Sequence, residues 1–254
     1  MNFNIERLVK QLKWDAFGHG RLLLIGFGVV FGLQAFMTFL AVIDGNFGRG
    51  SFHEANFGLL LMIGGLVFTS MIFSEMKEVQ GRQFYLTIPS SHLEKFVSKL
   101  LITTVGFVVF TVISYWLFSF LNSFLAKILG GYDFRVFYVF TKENIGLIKI
   151  YLVVQSIFLL GAITFRRTNF LKTGLAIFAI GAILTTIWGI FFGFTFWDKV
   201  SEGSWNFVIN GDEIFYDMER KGTFFLHLLY WLFWGALAPV MWLISYFKLT
   251  EKEV

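Results

Sequence analysis

YLTIPSSHLEKFVSKLL, residues 85–101, is the stretch on which the reading of this chain turns. It is the most patterned polar run in the sequence, and long apolar stretches flank it on both sides. Pro89 blocks helix continuation from upstream, because its ring fixes φ and it carries no amide hydrogen. Ser91 and Glu94 then form an S-x-x-E capping box, in which two side chains satisfy orphan amides at a helix start. Past the cap, Leu93, Phe96, Val97, Leu100 and Leu101 share one face, while Glu94, Lys95 and Lys99 fall off it. The pattern predicts a sharply bounded elbow whose capped helix leads into an apolar run.

What surrounds that elbow follows from composition. Of 254 residues, 56% are hydrophobic and only 15% charged, whereas a water-soluble domain carries about 25% charged residues. Six runs approach the ~20 apolar residues that a spanning helix needs: 22–43, 57–74, 100–121, 145–165, 173–192 and 223–247. The expectation is an all-α, polytopic membrane protein, since only helices or closed barrels satisfy every backbone amide in lipid. Lys149 falls near one end of the fourth run, where a lysine can snorkel to the interface. Cysteine is absent, which excludes disulfides, thiolate metal sites and cysteine nucleophiles. The net charge of +4 calls for no nucleic-acid partner, because its placement is topological. With the N-terminus inside, thirteen Lys and Arg fall on inner segments and eight on outer ones, together the chain's 21. The short RRTNFLK loop, 166–172, is the cleanest signal, and both termini are expected to face the cytoplasm.

Residues 1–21 show no small-residue cleavage site, so the first span is expected to act as an uncleaved anchor. Ile5, Leu8, Val9 and Leu12 recur at i, i+3, i+4, i+7, with Glu6, Arg7, Lys10, Gln11 and Lys13 on the other side. That is an amphipathic helix suited to the cytoplasmic membrane interface, or else a flap packed on a partner. Residues 194–222 form the longest polar insertion, in which alternating aromatics and an NGDE turn predict a small external loop. No repeat, Pro-rich linker or composition break divides the chain, so 1–254 is one membrane domain, with 75–99 as its largest cytoplasmic loop.

EVQGRQFYLTIPSSHLEKFVSKLL resembles the loop between the second and third spans of type-2 ABC exporter permeases, in a Bacteroidetes-like version. Glu78, Gly81, Leu86, Pro89, Ser91 and Lys99 occupy the places of that pattern. The interval from Gly81 to Pro89 is about one residue short, and Gln83 or Phe84 stands where a second acidic residue is usual. The resemblance implies a coupling elbow that docks into a separate ABC ATPase subunit. Its implied contact residues are Glu75, Glu78, Gly81, Arg82, Tyr85, Leu86, Pro89, Ser90, Ser91, Glu94 and Lys95. It also implies a second permease copy, identical or not, membrane lipid around the pair, and the bacterial inner membrane as the location. The chain has no G-x-x-x-x-G-K-[ST] phosphate loop. Hydrolysis is therefore expected on the other polypeptide, with no catalytic residue, metal or cofactor here.

Other chemistries fit less well. The PSSH block (89–92) resembles part of a lipid-phosphatase signature. That chemistry also needs an upstream Arg-Pro and a downstream His with an acidic orienter. Arg82 precedes Gln83, and the only later histidine, His227, has no acidic neighbour. A membrane metalloprotease needs paired histidines at i, i+4, and His19, His53, His92 and His227 are scattered. The remaining alternative is a non-transport assembly or immunity factor that binds its partner through the same elbow. Gln34, Asn122 and Gln155 are candidates to line a path or to bond between helices. Gly28 with Gly32, and Gly189 with Gly193, permit close helix approach within one chain or between two.

Overall fold

The computed structural model describes residues 3–18, 20–43, 50–77, 83, 87–131, 138–165, 168–201 and 231–253. Among these every regular element is helical and no strand occurs. We label the α-helices α1 (Ile5–Gly18), α2 (Gly20–Ile43), α3 (Gly50–Leu59), α4 (Gly65–Met71), α5 (His92–Leu101), α6 (Phe107–Gly130), α7 (Lys142–Thr164), α8 (Asn169–Ser201) and α9 (Leu237–Glu253). Wider π-helical turns at Leu60–Gly64 and Ile102–Gly106 join α3 to α4 and α5 to α6, and a third at Leu232–Ala236 precedes α9. A 3-10 turn, Ser74–Lys77, follows α4. The first residues of the expected external loop, 194–201, instead continue α8 as helix; the rest of that loop, the loop residues Arg166 and Arg167, and the first part of the sixth expected span lie outside the described residues.

Among the described residues four helices are long and apolar enough to cross a membrane: His92–Ile128, Lys142–Thr164, Asn169–Ile187 and Leu232–Glu251. The shortest, 19 residues, is about 28 Å long at 1.5 Å per residue, against a hydrocarbon core of ~30 Å. By length and composition these helices suggest a membrane protein. Helix α2 adds 24 residues over the first expected span, and the shorter apolar helix Ala55–Met71 falls on the second. The third expected span is part of something longer. Ser91 starts that helix, it runs on from His92 to Gly130, and Gly131 ends it with φ 66 in the left-handed region that glycine tolerates.

Helix α7 is the hub, packed against α4, α8 and α9, while α1 packs on α5 and α2 on α6. Tyr151, Val153, Gln155, Ser156, Phe158 and Leu159 of α7 are all buried. With Phe57, Leu61, Phe68, Ile72 and Phe107 its apolar side chains make the core. Asn169 starts α8 by donating to the carbonyls of Ala162 (3.0 Å) and Ser70 (3.4 Å), so one amide joins α7, α4 and α8. Gly161 has no room for a side chain, because a Cβ there would overlap Thr173. Further along, α8 leaves Leu175, Phe178, Ile183 and Ile187 exposed, an apolar surface on several sides that suits hydrocarbon.

Candidate partner-docking elbow

The elbow begins as the sequence predicts. Ser91 is extended (φ −68, ψ 155); its hydroxyl accepts from the Glu94 amide at 3.2 Å, and Glu94 Oε2 accepts from the Ser91 amide at 2.8 Å. Both halves of the capping box are present. Each satisfies an amide that the first turn of α5 leaves without an intrahelical partner.

Glu94 also does something the sequence does not announce. Its Oε1 accepts from the Asn4 backbone amide (2.7 Å) and from Arg7 Nη2 (3.1 Å), and its side chain is 0% exposed. One buried carboxylate thus caps α5 and ties it to the start of α1. A second tie lies at the tip, where Ser90 Oγ donates to Gln11 Oε1 at 3.3 Å. A third lies deeper. Asp15 accepts from Ser98 Oγ at 2.6 Å and from Lys99 Nζ at 3.4 Å, and Lys99 reaches Glu75 Oε2 at 3.4 Å. Asp15 and Lys99 are both fully buried. Burying a charge this completely is tolerated only when it is paired and hydrogen-bonded.

The three ties explain how α1 is turned. Arg7, Gln11 and Asp15 follow one another at i, i+4, i+8 and form the stripe that faces α5. Arg7 and Gln11 were expected on the outward polar side; instead Gln11 is buried and Arg7 half-buried. Ile5, Val9 and Phe17 stay exposed, as do Lys10 and Lys13.

The residues implied as partner contacts separate into three groups. Pro89 is exposed, and Ser90, Ser91 and Glu75 are half-buried. Glu94 and Lys95 are buried within the chain, so they shape the elbow rather than offer a surface. Glu78, Gly81, Arg82, Tyr85 and Leu86 lie outside the described residues. Exposed residues that sequence reasoning left out are Thr87, His92 and Leu93. It also passed over Asp15, Ser98 and Lys99 as a unit. The spacing puts Lys99 off the apolar face, with nothing nearby to mark its burial, and its partner stands 84 residues away.

No protein-family model, curated protein or solved structure matches the chain. Among the described residues no group of three or more His, Asp or Glu is placed to hold a metal ion. Of the polar residues in the expected spans, Gln155 bonds between helices, donating to Thr103 Oγ1 (2.9 Å) and accepting from Trp242 Nε1 (3.3 Å). Around the open Cβ positions of Gly28, Gly32 and Gly189, no described atom lies within 4 Å.

Proposed function

We propose that the chain is the transmembrane subunit of an ATP-driven exporter of the type-2 ABC class, coupling hydrolysis on a separate ATPase subunit to substrate movement. In this reading six helices cross the bacterial inner membrane, with both termini in the cytoplasm. The observation that carries it is an elbow tied to keep its shape while part of its surface stays exposed. Arg7, Asp15 and Glu75 fix α5 from two sides and Gln11 holds Ser90 just before it, while Pro89, His92 and Leu93 remain exposed at its start. A loop that merely returned the chain to the membrane needs no such fixing; a lever pushed by a partner does, because a soft lever absorbs the push. Helix α1 then lies on the inner leaflet, with Ile5 and Val9 toward the acyl boundary and Lys10 and Lys13 near the headgroups.

The test is purification in mild detergent together with a candidate ATPase that carries a phosphate loop. The reading expects a complex of two membrane subunits and two ATPases. A well-behaved monomer that never gains mass with such ATPases would remove it.

A further inference from the structure

We infer that the π-turns at Leu60–Gly64 and Ile102–Gly106, with Tyr151 wedged between them, form a hinge and latch through which α5 turns against the spans. The inference goes beyond the transport reading and stands on the hinge's own geometry.

A π-turn carries one more residue than the α-helix it interrupts, and such turns concentrate at functional sites. Two of them meet here. On one side, Gly65 directly follows the first π-turn, and a Cβ there would overlap the Tyr151 ring. On the other side, the Tyr151 hydroxyl donates to the Thr103 carbonyl inside the second π-turn, at 2.6 Å. Between them, Phe107 closes the second turn with its amide bonded to the Ile102 carbonyl, and its ring lies against Gly64. Tyr151 is 0% exposed, so its hydroxyl is buried away from bulk solvent.

The second π-turn is held open by side chains. Thr103 Oγ1 donates to the Lys99 carbonyl (2.9 Å) and Thr104 Oγ1 to the Leu100 carbonyl (2.6 Å), bonds that bend or widen a helix. Thr103 Oγ1 also accepts from Gln155, which in turn accepts from Trp242 on α9. So α7 and α9 together grip the one irregular turn between the elbow helix and its span. Reabsorbing the extra residue into α-helix rotates what lies upstream by roughly 100° and moves it by about 1.5 Å. That motion carries α5, and α1 bolted to it, relative to α6. Tyr151 is the positioning residue that holds the chain in the π-turn state, by capping the Thr103 carbonyl within the turn.

The test uses the full chain in lipid nanodiscs, where the absence of native cysteine makes paired spin labels selective. One pair is placed at Leu93 on α5 and Ile150 on α7, and a control pair at Ile113 on α6 and Ile150; all three sites are exposed. Tyr151→Phe keeps the ring and removes only the hydroxyl. The expected result is a second Leu93–Ile150 population displaced by roughly 8 Å, the chord of that turn at the outer radius of a helix, while the Ile113–Ile150 distance is unchanged. Two results overturn the inference. One is a Leu93–Ile150 distribution identical to the unsubstituted chain; the other is equal broadening of both pairs, which makes Tyr151 a general packing residue. The measurement involves no ATPase or substrate, so a failed transport reading and a failed hinge are told apart.

Discussion

Replacing Lys99 by methionine removes the charge at the centre of the elbow's deepest tie and keeps most of the side-chain volume. Lys99 Nζ stands 3.4 Å from both Asp15 Oδ1 and Glu75 Oε2. At an effective dielectric of 20, a pair at that distance attracts by about 5 kcal/mol, before the cost of desolvating both ions is subtracted. Deleting the lysine leaves the fully buried Asp15 carboxylate without its ammonium partner. A buried ion stripped of its partner costs about 3–5 kcal/mol. For a chain of this size the loss corresponds to a melting shift on the order of 10 °C. The companion variant is the double change Asp15→Asn with Lys99→Met, which removes both fully buried charges, leaves only the half-buried Glu75 carboxylate without the lysine, and is expected to lie within about 1.5 kcal/mol of the parent. The assay is thermal unfolding of all four forms in one detergent at one pH, read as a double-mutant cycle. Single variants that melt within about 2 °C of the parent, or costs that simply add, refute the buried pairing.

Two further outcomes follow from packing. Gly161→Ala puts a methyl into Thr173 and is expected to cost about 1–3 kcal/mol as overpacking, whereas Gly181→Ala, with open space around it, is expected to be neutral or stabilising by up to about 1 kcal/mol; equal melting of the two variants would contradict the α7–α8 seam. Spin labels along α1 are expected to report lipid at Ile5 and Val9, headgroup or water at Lys10 and Lys13, and immobilised protein contact at Gln11; uniform accessibility around the helix would remove the interfacial placement.

Local features of this fold were legible because they repeat within a few residues. The Ser91–Glu94 box, the stop at Pro89 and the helix at Ile5–Gly18 all follow from spacing and turn chemistry. The fourth run agrees closely with Lys142–Thr164, which Thr141 caps by accepting from the Asn144 amide. What was not legible depends on tertiary partners. Arg7 and Gln11 face inward because Glu94 and Ser90 stand opposite them, and no periodicity within α1 distinguishes that side from a water-facing one. Asp15 and Lys99 meet across 84 positions. The π-turns left only faint traces, a Gly-Gly pair at 64–65 and a Thr-Thr pair at 103–104. Those residues also occur in regular helices, and it is the ring and hydroxyl of Tyr151 that give them their meaning here.

The central claim is that the elbow transmits force from an ATPase, and its shape can be loosened without touching the membrane core. Pro89→Ala relaxes the stop, and Ser91→Ala removes the helix cap at a cost of about 1 kcal/mol. The double variant should therefore still insert and fold. The decisive measurement is ATP turnover and substrate movement by this variant and its parent, reconstituted side by side with the ATPase. The account predicts uncoupling: the ATPase stays bound and hydrolyses at its basal rate, while permease-stimulated turnover and transport both fall. Transport at the parent's rate by the double variant would contradict it.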